Sequence, residues 1–237
     1  VIPGEREASL SFAGATAEFP GDQVVVIDVG GGSTEVVAGT AGGDPAFIHS
    51  FNVGCRRVTE RFLKSDPPAE EEIARAQHWI EKEMSPYLQQ VRDGFSPNDG
   101  FSSADEPASN DEFASNDRFS PADGPSTNGT SSRPRLVAVA GTATTMVSIR
   151  EKMAVYDSSR VHKANVTSDD IAIMGRSLAA MPLEERRRVI GLDPDRAPVI
   201  VAGCLILQTA MNLLGASSFT VSESDILQGI VLRMTTD

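Results

Sequence analysis

Val24-Val25-Val26-Ile27-Asp28-Val29-Gly30-Gly31-Gly32-Ser33-Thr34-Glu35-Val36-Val37 decides the fold. The first run is β-branched and ends in Asp28, and the second alternates until Gly39, so the stretch reads as strand, glycine turn, strand. Successive glycines permit positive φ, which lets the backbone N–H groups of Gly30, Gly31 and Gly32 converge on one anion. Ser33 and Thr34 add hydroxyl donors, while Asp28 and Glu35 supply hard oxygen ligands suited to Mg²⁺. A plain hairpin needs one or two glycines, and each costs roughly 0.5–1 kcal/mol of backbone entropy. A phosphate cradle with a metal is the better reading.

The glycines match neither of the commoner phosphate loops. A dinucleotide site shows G-x-G-x-x-G opening a helix, and a P-loop ends in G-K-[ST]; here they close a hairpin. The pattern D-x-G-G-G-[ST]-[ST]-[DE] resembles the second phosphate loop of the actin, sugar-kinase and heat-shock-protein superfamily.

The 237 residues suit one domain with appendages or two small ones. A net charge of −12 argues against bulk binding of nucleic acid or a membrane surface. Half of that excess lies in residues 93–134, which hold eight acids and two arginines. The same segment has no Leu, Ile, Val or Met but nine Ser, five Pro and four Gly, a composition that reads as a disordered insertion. Cys55 and Cys204 lack C-x-x-C spacing and read as free buried thiols in a reducing, cytoplasmic compartment. No segment approaches the ~20 apolar residues of a membrane span. The chain begins inside a patterned segment, which suggests part of a longer protein.

Along the chain, a strand is expected around Ala8–Phe12, then strands at about 23–28, 33–39 and 46–51. A helix should run from Gly54 through Leu63. Ile73, Ala76, Ile80, Met84 and Leu88 recur at helical spacing and predict a second. Leu136–Ala140 reads as a buried strand entering Gly141-Thr142-Ala143-Thr144-Thr145, a strand-to-helix junction where free N–H groups favour an anion. Helices over 168–180, 183–189, about 196–214 and 224–234, with a strand at 219–222, complete an α/β layer architecture.

A family resemblance then becomes specific. Val1-Ile2-Pro3-Gly4-Glu5-Arg6-Glu7-Ala8, the Asp28–Glu35 loop, Val53-Gly54-Cys55-Arg56-Arg57-Val58-Thr59-Glu60 and Ala140-Gly141-Thr142-Ala143-Thr144-Thr145 occur in order. Gly191-Leu192-Asp193-Pro194-Asp195-Arg196-Ala197, Val201-Ala202-Gly203 and Val221-Ser222-Glu223 follow. This run is similar to the exopolyphosphatase / guanosine pentaphosphate phosphohydrolase (Ppx/GppA) family.

The resemblance implies an actin-like (ribonuclease H-like) lobe built on a mixed five-stranded sheet. Residues 1–20 would be a linking segment from a missing first lobe and 21–237 the second lobe, interrupted at about 93–134. The absence of further helical domains after the last helix implies the short, two-lobe subgroup. Carried over residue by residue, the catalytic glutamate falls on Glu7, with Glu5 as fallback if that segment is extended. The metal acids fall on Asp28 and Glu35, for Mg²⁺ or Mn²⁺. Phosphate falls to Gly30, Gly31, Gly32, Ser33, Thr34, Gly141, Thr142 and Thr144.

The implied reaction is release of terminal phosphate from inorganic polyphosphate or guanosine pentaphosphate, with no nucleic-acid or membrane partner and with a homodimer left open. The rivals are a non-catalytic phosphate- or alarmone-binding lobe and an actin-like ATPase or kinase. Ala140 departs from the family, standing where a first glycine is usual, and is expected to tighten the Gly141 turn. Arg186-Arg187-Arg188 reads as a solvated helix face.

Overall fold

The computed structural model describes residues 4–94 and 134–224, with side chains from Ser9 onward. In chain order the elements are α1 (Gly4–Thr16), β1 (Gln23–Val29), β2 (Thr34–Thr40), β3 (Pro45–Phe51), α2 (Cys55–Phe62), α3 (Glu70–Gly94) and β4 (Arg135–Val139). There follow α4 (Ala140–Arg150), α5 (Ser158–Val161), β5 (Asn165–Thr167), α6 (Ser168–Ala179), α7 (Leu183–Arg186), α8 (Ile200–Leu214) and β6 (Ser218–Val221). The insertion expected at 93–134 and the last helix expected at 224–234 lie almost wholly outside the described residues.

Among the described residues, one mixed sheet of six strands runs in the order β3-β2-β1-β4-β6-β5. β1, β2 and β3 form an antiparallel meander, β4 and β6 join parallel to β1, and β5 closes the far edge antiparallel. The sheet is actin-like α/β as expected, with one strand more than the five predicted. The addition is β5, whose three residues are too short to carry a period-two signal.

Period-two alternation sends β1 side chains to opposite faces. Val25, Ile27 and Val29 join α3 and α8 in the larger core, where Ile80, Met84, Leu88, Ile206 and Met211 are fully buried. Val24 and Val26, with Val37 and Val137, meet Phe12 and Ala15 of α1 on the other face.

That second face corrects one expectation. Ala8–Phe12 is not a strand but the middle of α1. Five residues of alternating small and large side chains fit either period; burial of Leu10, Phe12, Ala15 and Thr16 against the sheet selects the helix. Thr16 then closes the last turn by donating from Oγ1 to the Phe12 carbonyl at 2.7 Å.

Two polar devices hold the layers. Arg186, expected on a solvated face, is instead 3% exposed. It donates to the carbonyls of Leu178, Met181 and Ala197 at 3.0, 2.8 and 3.1 Å, with Asp66 3.6 Å away. Arg187 and Arg188 keep the expected surface role, Arg187 pairing with Glu184 at 2.8 Å. In the first turn of α3, the Glu72 carboxylate accepts from the N–H groups of Lys64, Ser65 and Ala69 and from the Ser65 hydroxyl.

Candidate functional site

The β1–β2 register sets Asp28 directly opposite Glu35 and Val29 opposite Thr34, so residues 30–33 form the connecting loop. Asp28 and Glu35 lie on the face covered by α1. Ser50, in register on β3, donates to Glu35 Oε1 at 2.7 Å. Burial, and then the facing Glu35 charge, push the Asp28 carboxyl up to about 6. Two half-buried acids that repel each other across one rung fit a hard divalent cation, whose charge would offset both the burial and the repulsion. Mg²⁺ is commonly bound by one or two carboxylates, its remaining positions filled by water and phosphate. Among the described residues no third acid, histidine or cysteine completes an all-protein cage.

The glycine loop is held by its own carbonyls. The Cys55 N–H donates to Gly30 O at 2.9 Å, and Arg56 and Arg57 N–H donate to Gly31 O at 2.9 and 3.2 Å. Arg57 Nε adds a bond to Gly32 O at 3.0 Å. This contact requires glycine at 54, because a Cβ there would lie 2.4 Å from the Gly32 carbonyl carbon.

Two of the expected phosphate donors are spent on structure. The Gly30 N–H donates to Ser33 O at 3.0 Å to close the turn. The fully buried Thr34 donates its hydroxyl to Val53 O at 2.5 Å. The Gly31 and Gly32 N–H groups and the Ser33 hydroxyl have no partner among the described residues.

The second loop meets the first through Thr142, a buried residue whose hydroxyl reaches the Val29 carbonyl at 3.4 Å. Thr144 and Thr145 turn their hydroxyls back to Gly141 O, at 3.3 and 2.6 Å, so the Thr144 hydroxyl serves the helix turn here. Ala140 takes φ +62°. It does not merely tighten the glycine turn; it occupies the left-handed region itself, which disfavours a Cβ.

Between the loops lies a cavity of about 170 Å³ lined by Gly30, Gly31, Cys55, Ala140, Gly141, Thr142, Arg196, Val199 and Ile200 among others. The N-terminal ends of α2, α4 and α8 therefore converge on it, and none of the three carries a side-chain cap. The first α2 amides are taken by the Gly30 and Gly31 carbonyls, so that end offers only its positive potential; an uncapped N-terminus elsewhere also presents free N–H groups. Arg196 adds a full charge, its Nη1 lying 1.3 Å from where a Cβ on Gly141 would stand. It has no carboxylate within ion-pair distance among the described residues. A cation against helix N-termini is unfavourable unless an anion sits between them.

Arg196 is the site residue that the sequence reading left within a motif without a role. Its legible signal was a lone cation just ahead of the apolar run of α8. Glu7, in the second turn of α1, belongs to the helix on the Asp28–Glu35 face, and its side chain lies outside the described residues. The helical backbone sets positions 5 and 7 about 200° apart around the axis. The condition that made Glu5 the fallback, an extended segment, is therefore not met. Cys55 and Cys204 are free and buried as expected, and no helix among the described residues is long and apolar enough to cross a membrane.

The sequence matches the Ppx/GppA phosphatase family over residues 1–106 and 124–237. It is 31% identical to exopolyphosphatase 2 of Mycobacterium tuberculosis over 99% of this chain and 63% of that protein. It is also 30% identical to the bifunctional 3-dehydroquinate synthase/phosphatase of Fusobacterium nucleatum, covering 98% of this chain and 30% of that one. The crystal structure of the Aquifex aeolicus Ppx/GppA phosphatase, type II variant, superposes with a TM-score of 0.74 at 26% identity, over 98% of this chain and 64% of its own. The chain thus spans less than two thirds of the length of these relatives. With its paired glycine loops and facing carboxylates on an actin-like sheet, the chain belongs to the Ppx/GppA phosphatase family.

Proposed function

We propose that this chain is the phosphate-gripping lobe of a Mg²⁺- or Mn²⁺-dependent phosphoanhydride hydrolase, acting on the terminal phosphate of inorganic polyphosphate or guanosine pentaphosphate. The observation that carries the reading is Arg196 over Gly141, a cation without a carboxylate partner among the described residues, at converging helix N-termini. Gly31, Gly32 and Ser33 would hold the oxygens of the transferred phosphoryl, and Thr142 with Arg196 the phosphate behind it. Asp28 and Glu35 would hold the metal, which when bound neutralises charge on the phosphates. Glu7 would orient and deprotonate the attacking water. A first lobe, closing over the cleft, would supply the remaining positioning.

The test is phosphate release from polyphosphate in a version that includes the first lobe. Glu7→Gln keeps shape and hydrogen bonding but cannot take the proton, so kcat should fall on the order of 10²–10⁴-fold while Glu5→Gln is nearly silent. Asp28→Asn should weaken metal dependence and rate together. Full activity in Glu7→Gln overturns the role of that residue, and no phosphate release by the unaltered protein overturns the hydrolase reading.

A further inference from the structure

The His162 side chain links two parts of the fold that lie far apart in sequence. On one side its Nε2 lies 2.6 Å from Oε2 of Glu18, in the turn between α1 and β1. On the other, its Nδ1 accepts the backbone N–H of Glu223, just beyond β6, at 3.2 Å. Glu223 in turn receives the Tyr156 hydroxyl. Tyr156 neighbours both Thr144 of the second phosphate loop and Arg196. The ring therefore ties the segment that follows α1 to the lip of the phosphate cavity.

The two bonds specify the protonation state. A backbone N–H can only donate, so Nδ1 must carry its lone pair, and the Glu18 carboxylate can only accept, so Nε2 must carry the proton. The ring is neutral. A second proton has one place to go, Nδ1, and there it opposes the Glu223 N–H head-on. We propose that His162 is a proton-operated pin: a second proton on the ring releases residues 222–224 from it and loosens the lip of the phosphate cavity.

The surrounding charges make the pin responsive. The Glu18 carboxylate is shared between His162 and Lys163, whose Nζ lies 2.6 Å from Oε1. Lys163 first, and His162 after it, draw the Glu18 carboxyl below the usual range against the opposing effect of burial. From α5, Asp157 is occupied in capping Ser159, and Arg160 is paired with Glu151 at 3.2 Å. From the β6 side, Glu223 is held by Tyr156. Because 27% of the His162 side chain is exposed, a proton can reach it from solvent without unfolding.

The experiment is nuclear magnetic resonance on this isotopically labelled chain, and its readout is independent of hydrolase activity. At pH 7.5 the His162 ring should show the Nε2–H tautomer. On acidification the Glu223 amide and the Tyr156 ring signals should shift with the His162 midpoint. Hydrogen exchange at Glu223, corrected for its intrinsic pH dependence, should accelerate at least about tenfold. His162→Asn, which keeps an acceptor near Nδ1 that does not titrate in this range, should abolish that pH response. An Nδ1–H tautomer at pH 7.5, or a Glu223 amide indifferent to His162 protonation, overturns the proposal. Both are read on the unaltered chain, so they decide the matter even where the variant fails to fold.

Discussion

Ala140→Gly should make the protein more stable, although it removes a methyl group and adds backbone freedom. Ala140 holds φ +62° at the junction of β4 and α4, where an L residue brings its Cβ against the following carbonyl. That conformation costs about 1–2 kcal/mol relative to glycine. Against it stands the extra entropy that glycine lends the unfolded chain, about 0.4–1 kcal/mol. The methyl group is exposed, so its loss forfeits little burial. The difference is a gain of about 0.5–1 kcal/mol. For a chain of this size, each kcal/mol moves Tm by about 2–4 °C, so calorimetry should show a rise of roughly 1–4 °C. Anion affinity should not fall, since only the Cβ is lost beside the cavity. A Tm that stays level or drops would refute the argument, because it would mean that the backbone bears no strain at Ala140.

Gly54→Ala should cost at least about 2 kcal/mol in chemical denaturation, since its Cβ would meet backbone atoms of Gly31 and Gly32 within 2.5 Å and nothing flexible can yield. Gly141→Ala should behave differently: the clash there is with the far end of Arg196, so Tm should hold while titration calorimetry shows tripolyphosphate binding about tenfold weaker. Arg186→Met strips the donors from three carbonyls, and at about 1–3 kcal/mol for each unsatisfied buried group it should lower stability by about 3 kcal/mol or more, read by urea unfolding. Glu72 is held at about 2, chiefly by the Ser65 hydroxyl and then by the surrounding backbone N–H groups. Because its folded-state value is depressed, its stabilisation is complete above the ordinary glutamate range and lost as pH falls toward 2. The gap in stability between the parent and Glu72→Gln should therefore be widest near neutral pH and vanish near pH 2.

The strand–glycine–strand reading at Asp28–Glu35 was legible because its information is local. Glycine repeats, β-branched runs and flanking acids act within a few residues of one another, so the hairpin loop and the buried face of α3 could be read before any contact was known. The chain order of the motifs likewise carried the family. What local pattern cannot carry is which hydrogen-bonding group is already taken. Gly30 and Thr34 have the chemistry of phosphate donors, yet Ser33 O and Val53 O claim them, and Val53 lies 19 residues from Thr34.

Charge was misread for the same reason. Three consecutive arginines look alike in sequence, but packing buries Arg186 among carbonyls and leaves Arg187 at the surface. Arg196 gained its place over Gly141 only when α8 docked beside α4. The alternation in Ala8–Phe12 satisfied two periods at once, and the apolar face of β1 and β2 decided for the helix. Local sequence determined which groups the chain brings to the cleft. Tertiary packing decided which remain free to act there, because a donor or a charge is available only when no nearer partner satisfies it.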